Sequence, residues 1–307
     1  MLLRLIILLL TLPAIAHGDA ENRAVLEHVE VELVVGHESV KPGSESFVGL
    51  LFKLDPGWHV YWKNPGDSGE PPSVKWSVPG GVSVGEFRWP APHKILMGPI
   101  VTFGYENEVL LSAPLVIASD FQGDAIEIKA AATWLVCADV CLGQEVELVL
   151  SLPVRPDEMV PTAASESPSL TQIPKPASAD GGAILRKGGL IELALDPDVF
   201  RPGPKYTFFP DEDVVELAKL TEQRMPTFTA PRSPTRTEPI ERISGVMVMT
   251  NAEGRHAFWF DVPVQDHENL VTTTFGKRWE DYWWIVLPLG ALAIPAIFRA
   301  TRSKKRT

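Results

Sequence analysis

The stretch AIEIKAAATWLVCADVCLGQEVELVLSLPV, residues 125–154, decides the fold. Its flanks, AIEIKAAATWLV (125–136) and EVELVLSLPV (145–154), are short apolar runs, and the chain turns between them. Runs of this length bounded by turn residues read as strands. The same character recurs upstream in VEVELVV (29–35), SFVGLLFKL (46–54), HVYW (59–62), VKWSV (74–78) and EVLLSAPLVIA (108–118). Gly, Pro, Asn and Asp punctuate these runs, and Asn64-Pro65-Gly66-Asp67 reads as a turn. Closely spaced short strands with such punctuation predict an all-β sandwich over residues 21–155.

Downstream, residues 156–182 are rich in Pro, Ser, Ala and Thr and poor in large apolar side chains, the composition of a linker. LIELAL (190–195), KYTFFP (205–210), ISGVMVMT (243–250) and HAFWFDVPV (256–264) then predict a second, smaller β-sandwich-like domain over 183–265. Within it, residues 212–225 read either as a short amphipathic helix or as an irregular edge. Composition agrees with a strand-and-turn chain, since 28 prolines and 23 glycines in 307 residues do not suit a helical bundle. A net charge of −11 argues against a nucleic-acid partner, which would need a basic face.

The two ends carry addresses. Residues 1–20, MLLRLIILLLTLPAIAHGDA, place Arg4 before an apolar run and the small-residue tripeptide Ala14-Ile15-Ala16 after it, the layout of a signal peptide cleaved after Ala16 or Ala20. After a polar stalk at 266–281, the uncharged stretch 282–298 has the makings of one transmembrane helix. Tyr282, Trp283 and Trp284 stand at one interface, and the basic tail 299–307 puts Arg299, Arg302, Lys304, Lys305 and Arg306 in the cytoplasm. The expectation is a periplasmic protein anchored in the inner membrane by its C-terminus.

Cys137 and Cys141, in Trp134-Leu135-Val136-Cys137-Ala138-Asp139-Val140-Cys141, are the only two cysteines. A bond across so small a ring restrains the unfolded chain by only ~2 kcal/mol. It is therefore either a passive staple of small effect or a reversible couple, because thiol–disulfide exchange needs an attackable sulfur with its partner close by. Copper is a third reading, since Cys-x3-Cys also occurs in dinuclear copper sites. The His and Met that such a site needs downstream are here Glu145 and Leu148. No metal or other cofactor is expected. Nothing basic lies close to the pair, while Asp139, Glu145 and Glu147 are acidic, so the local sequence supplies no cation to lower a thiol pKa. Four of nine tryptophans fall within residues 58–89, and His59 is either a base or a packed bystander.

Together GWHVYWKNPGDSGEPPSVKW (57–76), FRWPAPHKILMGPIVTFGYENEVLL (87–111) and WLVCADVCLGQEVELVLSLPV (134–154) resemble the N-terminal, immunoglobulin-like domain of DsbD-type thiol–disulfide interchange proteins, especially the copper-sensitivity-suppressor branch. KYTFFPD (205–211) gives a weaker echo. The resemblance implies an immunoglobulin-like β-sandwich whose cysteines relay electrons from a thioredoxin-like periplasmic or membrane donor to exported disulfide-containing clients. By that analogy Cys141 forms the mixed disulfide and Cys137 resolves it. The family covers its cysteines with an aromatic-bearing cap loop, which implies Phe103 as the cap, Tyr105 as its neighbour and Tyr61 lining the same site. A full-length transporter of this type adds a multi-span membrane domain and a thioredoxin-like domain. The motifs of neither are found here, so a multi-span electron transporter in a separate chain is the implied partner. A non-enzymatic immunoglobulin-like scaffold with a structural disulfide is the competing expectation.

Overall fold

The computed structural model describes residues 21–156, 159–177, 182–186, 189–195, 200–201, 203–224 and 227–266. The signal peptide, the membrane helix, the basic tail and all but the first residue of the stalk lie outside the described residues. Among those described, no helix is long and apolar enough to cross a membrane.

The first unit comprises β1 (Arg23–Leu26), β2 (Val29–Val35), β3 (Glu45–Leu54), β4 (His59–Gly66), β5 (Ser73–Ser77), β6 (Val82–Val84), β7 (His93–Met97), β8 (Ile100–Glu106), β9 (Glu108–Ile117), β10 (Ala125–Cys137) and β11 (Cys141–Pro153). They form one sheet in the order β1-β2-β3-β9-β6 and another in the order β11-β10-β4-β8-β7, with β5 also on β10. Inward-facing residues of both sheets share one core, and Phe52 of β3 meets Trp134 of β10 edge to face at 5.3 Å. This all-β arrangement is consistent with an immunoglobulin-like sandwich. β10 shows why the sequence folds so: Ile126, Ile128, Ala130, Ala132, Trp134 and Val136 alternate with more exposed residues and are buried. That period of two buries one face.

The expected turn at Asn64-Pro65-Gly66-Asp67 is instead an irregularity inside β4. Pairing with β8 runs from His59↔Glu106 to Tyr61↔Gly104, then shifts to Gly66↔Thr102. Gly66 takes φ 87°, and a Cβ there would stand 2.5 Å from the Val101 carbonyl oxygen, so only glycine fits. The Asn64 side-chain oxygen Oδ1 accepts from the Gly66 backbone amide, which is the local chemistry of a turn used to kink a strand.

The stretch read as a linker is tied to the first unit over much of its length. Thr162 and Ser165 hydroxyls donate to the Val35 and Gly36 carbonyls, and Ser169 accepts from the Leu110 amide. A one-turn helix α1 (Pro168–Thr171) follows, and then β12 (Lys175–Pro176). The second unit contains β13 (Gly182–Arg186), β14 (Leu190–Ala194), β15 (Lys205–Pro210), β16 (Thr227–Pro231), β17 (Arg242–Asn251) and β18 (Gly254–Asp266). These strands are joined along one hydrogen-bonded path, β15-β17-β18-β13-β14-β16, with β12 on β18, and Phe208 of β15 packs against Phe228 of β16 at 5.7 Å. Over 212–224, the described part of the 212–225 stretch, the chain adopts the irregular alternative, with a short 3-10 turn at Leu217–Lys219. Val214 and Val215 are both β-branched and buried, and β-branched side chains favour extended chain.

The two units share a continuous core. Phe209 of β15 packs against Phe103 at 5.1 Å and Trp62 at 6.3 Å. Around this aromatic joint, the Asn64 amide donates to the Pro210 carbonyl and Lys63 pairs with Asp211 at 2.7 Å. Phe209→Ala should therefore lower stability by about 3–5 kcal/mol, the usual cost of emptying a buried aromatic site. Urea unfolding of the full chain, followed by tryptophan fluorescence, should show one transition at lower denaturant for both units.

Candidate functional site

The hairpin β10–β11 is an unbroken antiparallel ladder from Ala125↔Pro153 to Cys137↔Cys141. The last pair of that ladder is the disulfide, which closes the turn Ala138-Asp139-Val140. The two sulfurs differ in access, because Cys137 is fully buried and Cys141 is exposed. Cys141 Sγ is therefore the sulfur open to an approaching molecule, and Cys137 Sγ lies behind it.

β4 supplies the surroundings. Cys137 pairs across the sheet with His59, which puts both side chains on one face. Tyr61, two residues along, shares that face, and its hydroxyl lies 3.6 Å from Cys141 Sγ. The backbone of Gly69 lies flat on the Tyr61 ring: with φ 108°, a Cβ there would stand 2.3 Å from the ring carbons. Burial raises the Tyr61 pKa, so the hydroxyl keeps its proton at neutral pH and can donate to a thiolate on Cys141. A donor to the thiolate form favours that form.

Phe103 and Tyr105 are on the other face. In β8, Gly104 opposes Tyr61, so the pleat turns Phe103 and Tyr105 inward with Val60 and Trp62. Phe103 belongs to the joint with Phe209, and the Tyr105 hydroxyl donates to the Pro90 carbonyl at 2.6 Å. Burial raises the Tyr105 pKa well above its ordinary value, with nearby Arg255 opposing the shift. The expected cap at Phe103 is thus corrected, since a side chain on the core face cannot cover a sulfur on the opposite face.

The segment beside the disulfide is the β7–β8 hairpin tip, whose turn uses Gly98 at φ 63°. Leu96, Met97, Trp58, His59, Glu106 and Asp139 help to line a cleft of about 670 Å³ there. Leu96 and Val140 are 67% and 60% exposed, which leaves apolar side chains at the rim of a polar cleft. Sequence reasoning missed this tip because Lys94-Ile95-Leu96-Met97 carries no aromatic residue. At position 148, where the copper alternative needs sulfur, Leu148 is buried in the core.

Residues 30–153 match the family described as "Thiol:disulfide interchange protein DsbD, N-terminal". They form a DsbD-type N-terminal domain. No curated protein matches the sequence at a significant level. The fold is similar to the N-terminal periplasmic domain of ScsB from Proteus mirabilis, at 16% identity and a TM-score of 0.53, covering 80% of this chain and 99% of that one. That likeness extends past the DsbD-type domain into the second unit. A Porphyromonas gingivalis protein of unknown function is also similar, at 14% identity and a TM-score of 0.25, covering 77% of this chain and 100% of that one. The DsbD-type domain thus carries both cysteines, and its matched region ends with β11.

Tyr61→Phe keeps the ring under Gly69 and removes only the hydroxyl. After reduction, Cys141 should show a thiol pKa higher by about one unit, within the range for a lost hydrogen bond to a charged group. Iodoacetamide alkylation against pH, resolved by peptide mass spectrometry, measures it. An unchanged Cys141 profile would remove Tyr61 from the site.

Proposed function

We propose that this chain is a periplasmic thiol–disulfide relay, anchored in the inner membrane by its C-terminal segment. The Cys137–Cys141 pair accepts electrons from a thioredoxin-like donor and delivers them to exported disulfide-containing clients. The observation that carries this reading is the pairing of an exposed Cys141 with a buried Cys137 inside a DsbD-type domain. As a staple the bond would be nearly redundant, because the ladder above it already holds the two strands together. As a couple it is well placed, since the attackable sulfur and its resolving partner sit on a rigid hairpin.

The chemistry runs in two exchanges. A donor thiolate attacks Cys141 Sγ, the Cys137–Cys141 bond breaks, and Cys137 leaves as a thiolate. The donor's second thiol then displaces Cys141 and leaves the domain as a dithiol. On a client disulfide the sequence reverses: Cys141 attacks, Cys137 resolves, and the client departs reduced. The overhanging Leu96–Ile100 segment, not Phe103, is the cover in this reading. Its exposed apolar side chains suit a partner protein that buries them on docking. A multi-span electron transporter in a separate chain is the partner that this reading requires.

Cys137→Ser leaves Cys141 able to attack and unable to be released. Expressed in a host with an intact periplasmic reducing pathway, that variant should accumulate a reductant-sensitive adduct with a thioredoxin-fold protein, visible on non-reducing gels and identified by mass spectrometry. Cys141→Ser should not. If neither variant captures a partner, and the wild-type bond stays fully oxidised in the same cells, the pair is a staple and the relay is lost.

A further inference from the structure

Among the described residues, the Nε2 of His59 is a buried polar atom with no hydrogen-bond partner. His59 is 2% exposed. A buried nitrogen left unpaired is destabilising, and an apolar side chain would avoid that cost. Its position supplies a reason for it. His59 is the cross-strand partner of Cys137, on the same face, where paired Cβ atoms stand about 4.5–5.5 Å apart. Its ring packs edge to face on Tyr61 at 5.0 Å, and Tyr61 in turn reaches Cys141. His59 thus stands with the buried sulfur and Tyr61 with the exposed one. The unpaired nitrogen also fits the oxidation state: a disulfide has no S–H to offer, whereas a reduced Cys137 does.

We propose that His59 is the proton-transfer group for Cys137. The inference rests on the relay reading and assigns the proton in its resolving step. With Cys141 joined to a partner sulfur, His59 Nε2 takes the proton from the Cys137 thiol. The resulting thiolate attacks Cys141 Sγ, the Cys137–Cys141 bond forms, the bond from Cys141 to the partner breaks, and the partner sulfur leaves with the electron pair. The imidazolium then gives its proton to that thiolate or to water. In the opposite direction an imidazolium formed from solvent protonates Cys137 as it leaves. Positioned acid–base groups work in this way for nucleophilic cysteines elsewhere.

The surroundings are consistent with such a role. Burial lowers the His59 pKa, so the ring is neutral and able to accept a proton at neutral pH. Glu106, its partner on β8, and Asp139 in the disulfide turn are the acidic residues that line the same cleft. Tyr61 faces it along β4. Lys94 at the root of the overhanging hairpin donates to the Leu220 carbonyl, and no cationic side chain lines the cleft.

The test uses the full chain in detergent, reduced with dithiothreitol, freed of it, and reoxidised by glutathione disulfide. Acid quenching, alkylation and mass spectrometry separate the glutathione adduct on Cys141 from the closed disulfide. At neutral pH, His59→Gln should close about 100-fold more slowly, at the low end for a positioned acid–base group, and the adduct should accumulate. The deficit should shrink as rising pH ionises Cys137 without help. A folded His59→Gln protein with the wild-type closure rate and pH profile would overturn the assignment. Should that variant not fold, the wild-type profile decides. A closure rate that levels off below the thiol ionisation, read separately from thiolate absorbance, supports His59, and a rate that only follows that ionisation overturns it. A wild-type pair that never takes up glutathione and never recloses would bring down the relay reading itself, and the proton assignment with it.

Discussion

Strand β4 is buried on both faces, and its pleat sorts the whole domain. His59, Val60, Tyr61 and Trp62 are each 2% exposed or less. Val60 and Trp62 point into the core, where Trp62 continues to Phe209 of the second unit. His59 and Tyr61 point the other way, to the two sulfurs. A slip of one residue would exchange the two sets, placing an indole against the disulfide and a phenol in the core. Gly66 and Gly69 guard against that slip. The first lets β4 approach the Val101 carbonyl where the register shifts, and the second leaves room for the Tyr61 ring.

Because one strand serves both faces, the cysteine pair and the inter-unit joint are coupled by geometry. The pair sits at the start of β4, opposite His59, and the joint forms where Trp62, Lys63 and Asn64 meet Phe209, Asp211 and Pro210. The hairpin bearing the cysteines is held by its ladder on one side, and on the other by β5 and one pairing to β4. Such a frame fixes where Cys141 emerges. In the proposed exchange only Cys141 is open to an incoming thiolate, so what the frame presents is one sulfur in one place.

What the sequence disclosed follows from periodicity. β10 alternates cleanly, so its inward face could be read in advance, and Cys137 and Cys141 stood out by number and spacing. β8 was illegible in this respect: Val101, Thr102, Phe103, Gly104 and Tyr105 are all buried, so apolarity gives no sign of which residues face the core. That is why the aromatic that family likeness put over the disulfide proved to be across the sheet from it in space. Tyr61 was found through family likeness, and the pairing of His59 with Cys137 needed the register. Asn-Pro-Gly announced a turn and built a strand irregularity with the same backbone chemistry. The Ser- and Thr-rich segment looked solvated by composition, yet its hydroxyls bond to strand backbone. Composition reports polarity and does not distinguish water from a sheet as the partner.

The second unit contributes to the site indirectly, through the root of the β7–β8 hairpin. Arg255 of β18 donates to the Ala91 and Pro92 carbonyls, immediately before β7 begins at His93. Burial lowers the Arg255 pKa, an effect that Tyr105 opposes, and the charge is accommodated by those carbonyls. Lys94 reaches back to the Leu220 carbonyl, so a second cation–carbonyl bond ties the same root to the same unit. Charge-assisted bonds of this kind are stronger than neutral ones. The tip has no such ties: Leu96 and Ile100 are 67% and 38% exposed, and Gly98 makes the turn. A hairpin clamped at its root by one unit and exposed at its tip beside the disulfide of the other makes the two units one device. It also gives a physical reason for the core to run unbroken between them, because a second unit free to swing could not hold that root in place.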